Sequence, residues 1–396
     1  MNPEAVSRWS RRHVAAGALF LVAWQAAVLF GAPHRTGVAF GLYGFVLHTV
    51  AGKGYSLVPS YFARQLVVPR APPASLSLLS LGTVGLAAVP FPGVPAVVGV
   101  AGAVCWALGA LVLVGALGWT VRDNVTGRQT GTGEPNADRR RVDRFANAFV
   151  PVVFGYLLAG AYETLAVTGG GPSLTGRGLA GAIHLLAAGV GVLLVFTVGF
   201  RLLPRFLVSY PPSALVAVVL PAGALGPTLV AGNLWGGTWF RLGAVAETLA
   251  IVGFAVAYVV LFVRSDRRRV GLYGPLLGVV LGVVGVSLGL HFAFVGVPTG
   301  GVTAHYRLNL TGFLGVTIVG IAYQFYPPAI GSFPGADDRT ALASIWCLAV
   351  GVAVEASGSL AGVALVVTFG RLLAFVGACL YGYLLFGLFR ERYGGR

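Results

Sequence analysis

Residues 304–328 read AHYRLNLTGFLGVTIVGIAYQFYPP. The middle of the stretch is apolar enough for a bilayer. It nevertheless opens with His305, Arg307 and Asn309 and closes on Tyr323, Gln324, Tyr326 and two prolines. In hydrocarbon each such polar group needs a partner or a purpose. Apolar runs of this kind, about 20 residues long, recur along the whole chain. The sequence is 57% hydrophobic and 10% charged, with mean hydropathy +0.84. A water-facing surface for 396 residues needs more charge than that. The fold class that follows is all-α integral membrane.

Hydropathy divides the chain into twelve predicted spans: 13–31, 37–59, 74–91, 95–120, 146–168, 178–204, 212–232, 240–264, 271–296, 303–327, 340–357 and 359–389. The apolar N-terminal run is too long for a signal peptide and lacks a clear small-residue cleavage site. It reads as the first span. Arginine placement orients the set. With the N-terminus cytoplasmic, 22 of the 27 basic residues fall on inner loops and ends, against four outside and Arg371 within the last span. The positive-inside rule therefore gives cytoplasmic N- and C-termini. The net charge of +15 belongs to those loops and points to a lipid bilayer, not to nucleic acid. One long polar loop, 122–144, reads as a flexible cytoplasmic linker. Arg supplies 26 of the 27 basic residues, with Lys53 the one exception, a bias of GC-rich prokaryotic genomes. The expected location is a prokaryotic plasma membrane. Cys105, Cys347 and Cys379 form no CxxC motif, which argues against covalent c-type haem.

The quoted stretch has relatives within the chain. GFVLHTVAGKGYSLVP (44–59) and GFLGVTIVGIAYQFYP (312–327) align without gaps and share six of sixteen positions, among them Gly44/Gly312, Thr49/Thr317 and Tyr55/Tyr323. HLLAAGVGVLLVFTVGFRLLP (184–204) aligns with the tenth span at an offset of 121, placing His184 on His305 and Gly191 on Gly312. The second, sixth and tenth spans thus read as copies of one element, four spans apart. That period implies three pseudo-symmetric four-helix repeats, approximately 1–121, 145–264 and 270–390, about an axis along the membrane normal.

Intramembrane polar residues are the functional candidates. His184, His291 and His305 fall at similar depth in the outer half. His48 lies eleven positions deeper in the repeat alignment, roughly 16 Å along a helix axis. It would be a separate ligand. His13 and His34 read as solvated surface residues. Glu163, Glu247 and Glu355 join the outer layer, and Arg371 is a buried cation expected to pair with a carboxylate, a haem propionate or helix carbonyls. Neutral imidazole suits haem iron, copper and zinc. A layer holding His184, His291 and His305 is therefore a candidate metal or haem site, with Arg307 or Arg241 available to propionates. The same Glu, His and Arg would also line the path of a channel or secondary transporter.

The quoted stretch and IHLLAAGVGVLLVFTVGFRLLPRF (183–206) resemble the haem-bearing helices of haem–copper oxidase subunit I-like proteins. They also resemble the NnrS family of membrane haem proteins linked to nitric oxide stress. The oxidase subunit has twelve helices in three four-helix arcs. The resemblance implies haem, with copper possible, and a redox or nitric oxide role beside an electron-donor or partner subunit. It places His48 where the family has a low-spin haem ligand and His184 where it has a copper ligand. Arg307 stands where a second histidine of an HxH-like motif would be, and the seventh span has no histidine. A complete binuclear oxygen-reducing centre is therefore not expected, and no catalytic residue is assigned.

Overall fold

The structure is a computed structural model and describes residues 3–393. It is all-helical, with no strand among the described residues. The principal helices are α1 (Pro3–Leu29), α2 (running through His34–Val38, Ala39–Val46 and Leu47–Tyr61), α3 (Ala71–Ala88), α4 (Ala96–Val121), α5 (Val150–Gly169) and α6 (Gly178–His184, Leu185–Val192 and Leu193–Leu207). They continue with α7 (Ser213–Asn233), α8 (Gly237–Arg264), α9 (Tyr273–Phe294), α10 (Gly301–Arg307, Leu308–Gly315 and Val316–Phe325), α11 (Asp338–Ala361) and α12 (Ala364–Tyr393). Eleven helices of the described chain are long and apolar enough to cross a membrane. The protein is a multi-pass helical membrane protein. α2 is not among the eleven. His48, Thr49, Lys53 and five glycines lower its hydropathy, and its partners are protein: most of its residues from Thr36 to Tyr55 are buried. A helix walled in by other helices need not be apolar on every face.

α2, α6 and α10 form the centre. Each contains an eight-residue π-helical segment, Ala39–Val46, Leu185–Val192 and Leu308–Gly315, and all three segments touch one another. A π segment widens the helix by one residue per turn and re-aims the side chains beyond it. Around this centre α4 packs on α5, α8 on α9, and α12 returns to α1, closing the bundle.

Contacts recur in threes. Gly44, Gly189 and Gly312 of the central helices meet Phe20, Tyr156 and Leu281 of the helices before them. Gly82, Gly226 and Gly351 meet Trp106, Glu247 and Ala374; Gly102, Gly243 and Gly370 meet Leu86, Val230 and Glu355. A Cβ would fall inside the neighbour at each of these glycines except Gly312, where it would press tightly on Leu281, so each marks a close helix crossing. The first and last groups of helices also share a hydrogen bond: Tyr55 Oη to Ser75 Oγ at 3.0 Å, and Tyr323 with Ser344 at 2.7 Å. At the centre Gly191 faces Leu314 and Val46.

These contacts fix a register. The π segments of α6 and α10 begin 123 residues apart, at Leu185 and Leu308. At that spacing His184 falls on Arg307, whereas the sequence alignment at 121 pairs it with His305. Glycine-rich helices match themselves at several shifts; the fit of Gly189 over Tyr156 selects one.

The 122–144 segment is no loose linker. Asn124 Nδ2 donates to Phe62 O at 3.0 Å and Gln129 O at 2.8 Å, and Asn147 Nδ2 donates to Tyr61 O at 2.7 Å. A short helix, Arg140–Asn147, follows, and its buried Asp143 reaches Arg201 and Arg205 of α6.

Candidate ligand cavity

At the end of the bundle where the even-numbered helices begin, α6 to α10 enclose a cavity of about 230 Å³. Its lining is largely apolar, with Phe196, Phe240, Ile251 and Leu314 among the walls. The polar groups there are His34, His184, Glu247, His305, Tyr306 and Asn309. Two imidazoles share one arrangement. His184 Nδ1 lies 3.0 Å from Ala180 O, one turn back on its own helix. His305 Nδ1 lies 2.8 Å from Gly285 O on α9. A carbonyl only accepts, so each Nδ1 carries the proton and each Nε2 keeps a free lone pair. Gly289 clears room for the His305 ring. Anchoring one nitrogen on a backbone carbonyl while the other stays open is how ligating histidines are usually oriented. Both rings line this one cavity.

Glu247 completes the polar set. Its Cγ rests on Gly226, and its Oε1 has no hydrogen-bond partner although buried. Among the described residues no three His, Cys, Asp or Glu side chains come together as a metal-holding group.

The remaining candidates are elsewhere. His291 is exposed near the end of α9 and does not join His184 and His305, so the three-histidine set reduces to two. His48 is buried with both nitrogens engaged: Nδ1 with Tyr43 O at 3.2 Å and Nε2 with Ser80 Oγ at 3.0 Å. As placed, it has no lone pair to offer a metal. His13, expected at the surface, is fully buried, because α1 begins ten residues earlier than hydropathy places it. Its Nε2 lies 3.0 Å from Pro72 O, and its ring is 6.1 Å from that of His48. His34 is exposed as expected, and stacks edge-on against Tyr306 at the cavity rim, 4.9 Å between centroids. Glu163 is a loop clamp, accepting from Ser173 Oγ at 2.5 Å and from Leu174 N at 2.7 Å. Arg241 is exposed and donates to Ala293 O at 3.3 Å.

Arg307, Glu355 and Arg371 form a separate cluster on the far side of α10. Glu355 accepts from Arg307 Nε at 2.6 Å and from Arg371 Nε at 2.9 Å. The expected partner of Arg371 is thus a carboxylate. Arg307 Nη2 also donates to Gln25 Oε1 at 2.6 Å. Gln25, Trp24 and Tyr306 were not singled out from sequence. The available signal was a lone glutamine in the apolar run of α1.

Neither a protein-family model nor a curated protein sequence matches this chain.

Proposed function

We propose that this chain is a haem- or copper-binding membrane protein with the arrangement of haem–copper oxidase subunit I-like proteins, without a complete binuclear centre, serving redox or nitric oxide chemistry. Within that reading α2 also spans the bilayer, and α1–α4, α5–α8 and α9–α12 are three pseudo-symmetric four-helix repeats. The π segments, the contacts recurring in threes and the convergence of Val46, Gly191 and Leu314 support the repeat. The termini are cytoplasmic and the membrane is a prokaryotic plasma membrane, as the arginine distribution favours.

One observation carries the functional proposal: His184 and His305, both held at Nδ1, offer Nε2 to one apolar cavity. The donor set suits the group. A haem needs one or two axial imidazoles and an apolar slot, and the absence of a third ligand does not count against it. Such a group supplies electron transfer or binding of a diatomic gas. The chain's own residues orient the imidazoles, exclude water, and place Glu247 where a proton can be held at Oε1. Purification in mild detergent after haem-replete expression, with an absorption spectrum and metal analysis, tests this. The expected result is a coloured protein whose spectrum is lost in His184→Ala or His305→Ala. A colourless protein free of iron and copper overturns the proposal.

Glu247 favours a second reading, a secondary transporter or channel. A half-buried carboxylate with an unpartnered, buried oxygen in a cavity is an economical carrier of a proton or small cation. A colourless protein that moves protons or a cation in proteoliposomes, with the flux lost in Glu247→Gln, would establish it.

A further inference from the structure

The cluster around Arg307 has more hydrogen-bond donors than acceptors and more positive charge than negative. Arg307 and Arg371 face one carboxylate, Glu355, leaving one uncompensated positive charge. Arg307 and Gln25 are each 1% exposed and Glu355 is fully buried. The first contacts are spent well: both Glu355 oxygens accept from a guanidinium, and Gln25 Oε1 accepts from Arg307 Nη2. What remains consists of donors. Arg307 Nη1 and Gln25 Nε2 have no acceptor, and they belong to two side chains already joined to each other. Nearby, the Trp24 indole N–H and the Tyr306 hydroxyl are also buried without a hydrogen-bond partner, their rings 6.1 Å apart. The Arg307 guanidinium stands 5.2 Å over the Trp24 ring.

A buried guanidinium left without full compensation is costly, and unspent donors beside it add to the cost. A water would satisfy one donor and leave the charge. A divalent anion would overshoot it. We infer that Arg307 Nη1 and Gln25 Nε2, with the Tyr306 hydroxyl beside them, bind a small dehydrated monovalent anion, a halide or a compact carboxylate, between α1 and α10. The inference does not rest on the haem proposal, because the cluster is not part of the ligand cavity except through Tyr306.

The test is thermal unfolding of the full chain in mild detergent at constant ionic strength. Sodium gluconate, whose anion is too bulky for the site, is exchanged stepwise for chloride, bromide or formate. An anion bound only by the folded state raises the melting temperature with the logarithm of its concentration. Two variants remove the need for it differently. Gln25→Glu brings a carboxylate onto Arg307, and Arg371→Gln removes the surplus charge at a partly exposed position. The wild type is expected to gain stability from halide, whereas both variants give flat profiles. Gln25→Glu should melt in gluconate at or above the wild-type temperature. A response to formate and not to halide identifies a carboxylate as the occupant and upholds the site. Indifference of the wild type to all three anions overturns the inference, as does an undiminished halide response in Gln25→Glu and Arg371→Gln.

Discussion

Two buried carboxylates in this molecule each hold two arginines, and the difference between them lies in what surrounds the arginines. Asp143 pairs with Arg205 Nη2 at 2.6 Å and with Arg201 Nε at 3.4 Å; Glu355 pairs with Arg307 and Arg371. Around Asp143 the Nη donors are met, while Arg201 Nε faces the carboxylate without a hydrogen bond. Arg201 gives its Nη groups to Tyr61 O at 3.1 Å, to Thr130 O at 2.9 Å and to Asn147 Oδ1. Its guanidinium also lies 3.8 Å from the Tyr61 ring centroid. Those carbonyls sit where α2 ends and the 122–144 segment passes, so irregular backbone supplies the acceptors. Around Glu355 every neighbour is mid-helix, and helical carbonyls are already taken by the helix itself. Identical charge bookkeeping therefore leaves a single unbonded Nε facing its own carboxylate in one place and several unspent donors in the other.

The largest effects come from removing the carboxylates. Asp143→Asn and Glu355→Gln each leave buried guanidinium charge unpaired, at a cost of roughly 3–5 kcal/mol. Melting temperature and the yield of monodisperse protein in detergent check this. The two should separate on adding chloride. Glu355→Gln, whose uncompensated charge lies beside free donors, is expected to regain part of its stability. Asp143→Asn, whose arginine donors stay on carbonyls, is not. Equal responses would erase the distinction between the clusters.

A smaller change should make the closed cluster resemble the open one. Asn147→Ala removes one acceptor from Arg201 and the donor to Tyr61 O while leaving Asp143 in place. A buried donor deprived of its partner costs about 1–3 kcal/mol. The same melts should show that loss together with a new, modest chloride dependence. Loss of stability without chloride dependence would mean that backbone acceptors close around Arg201 on their own.

This contrast also marks how far the sequence could be read. Hydropathy and arginine counts were enough for a multi-pass helical protein, because lipid imposes one rule on every span. The Tyr55/Tyr323 identity between 44–59 and 312–327 marks a like contact in space, since each tyrosine bonds a serine of the next helix, Ser75 or Ser344. The α6 register was not legible: small residues fit at several shifts until Tyr156 picks one. His184 and His305 were legible as a pair because both open apolar helices. His291 was misplaced because depth along a helix says nothing about which way a side chain faces. The Asp143 cluster was invisible, since its acceptors are backbone carbonyls of a segment that composition alone calls flexible.

The smallest effect belongs to a third arginine–carboxylate pair, at the surface. Arg64 holds Asp123 in a two-point contact, Nε to Oδ1 at 2.9 Å and Nη2 to Oδ2 at 3.0 Å, better geometry than either buried cluster achieves. The Asp123 side chain is nevertheless 63% exposed, so water and salt do most of what Arg64 does. The hydrogen bonds from Arg64 hold the Asp123 carboxyl below its ordinary pKa. Whatever stability the pair adds is present above the unfolded carboxylate pKa and is lost as pH falls through the lower folded value. Asp123→Asn should leave the melting temperature at neutral pH nearly unchanged and slightly flatten the acid limb of its pH profile. Chloride should act on it only as general screening. A large effect at neutral pH would mean that contact geometry, not the supply of acceptors to buried donors, separates the three pairs.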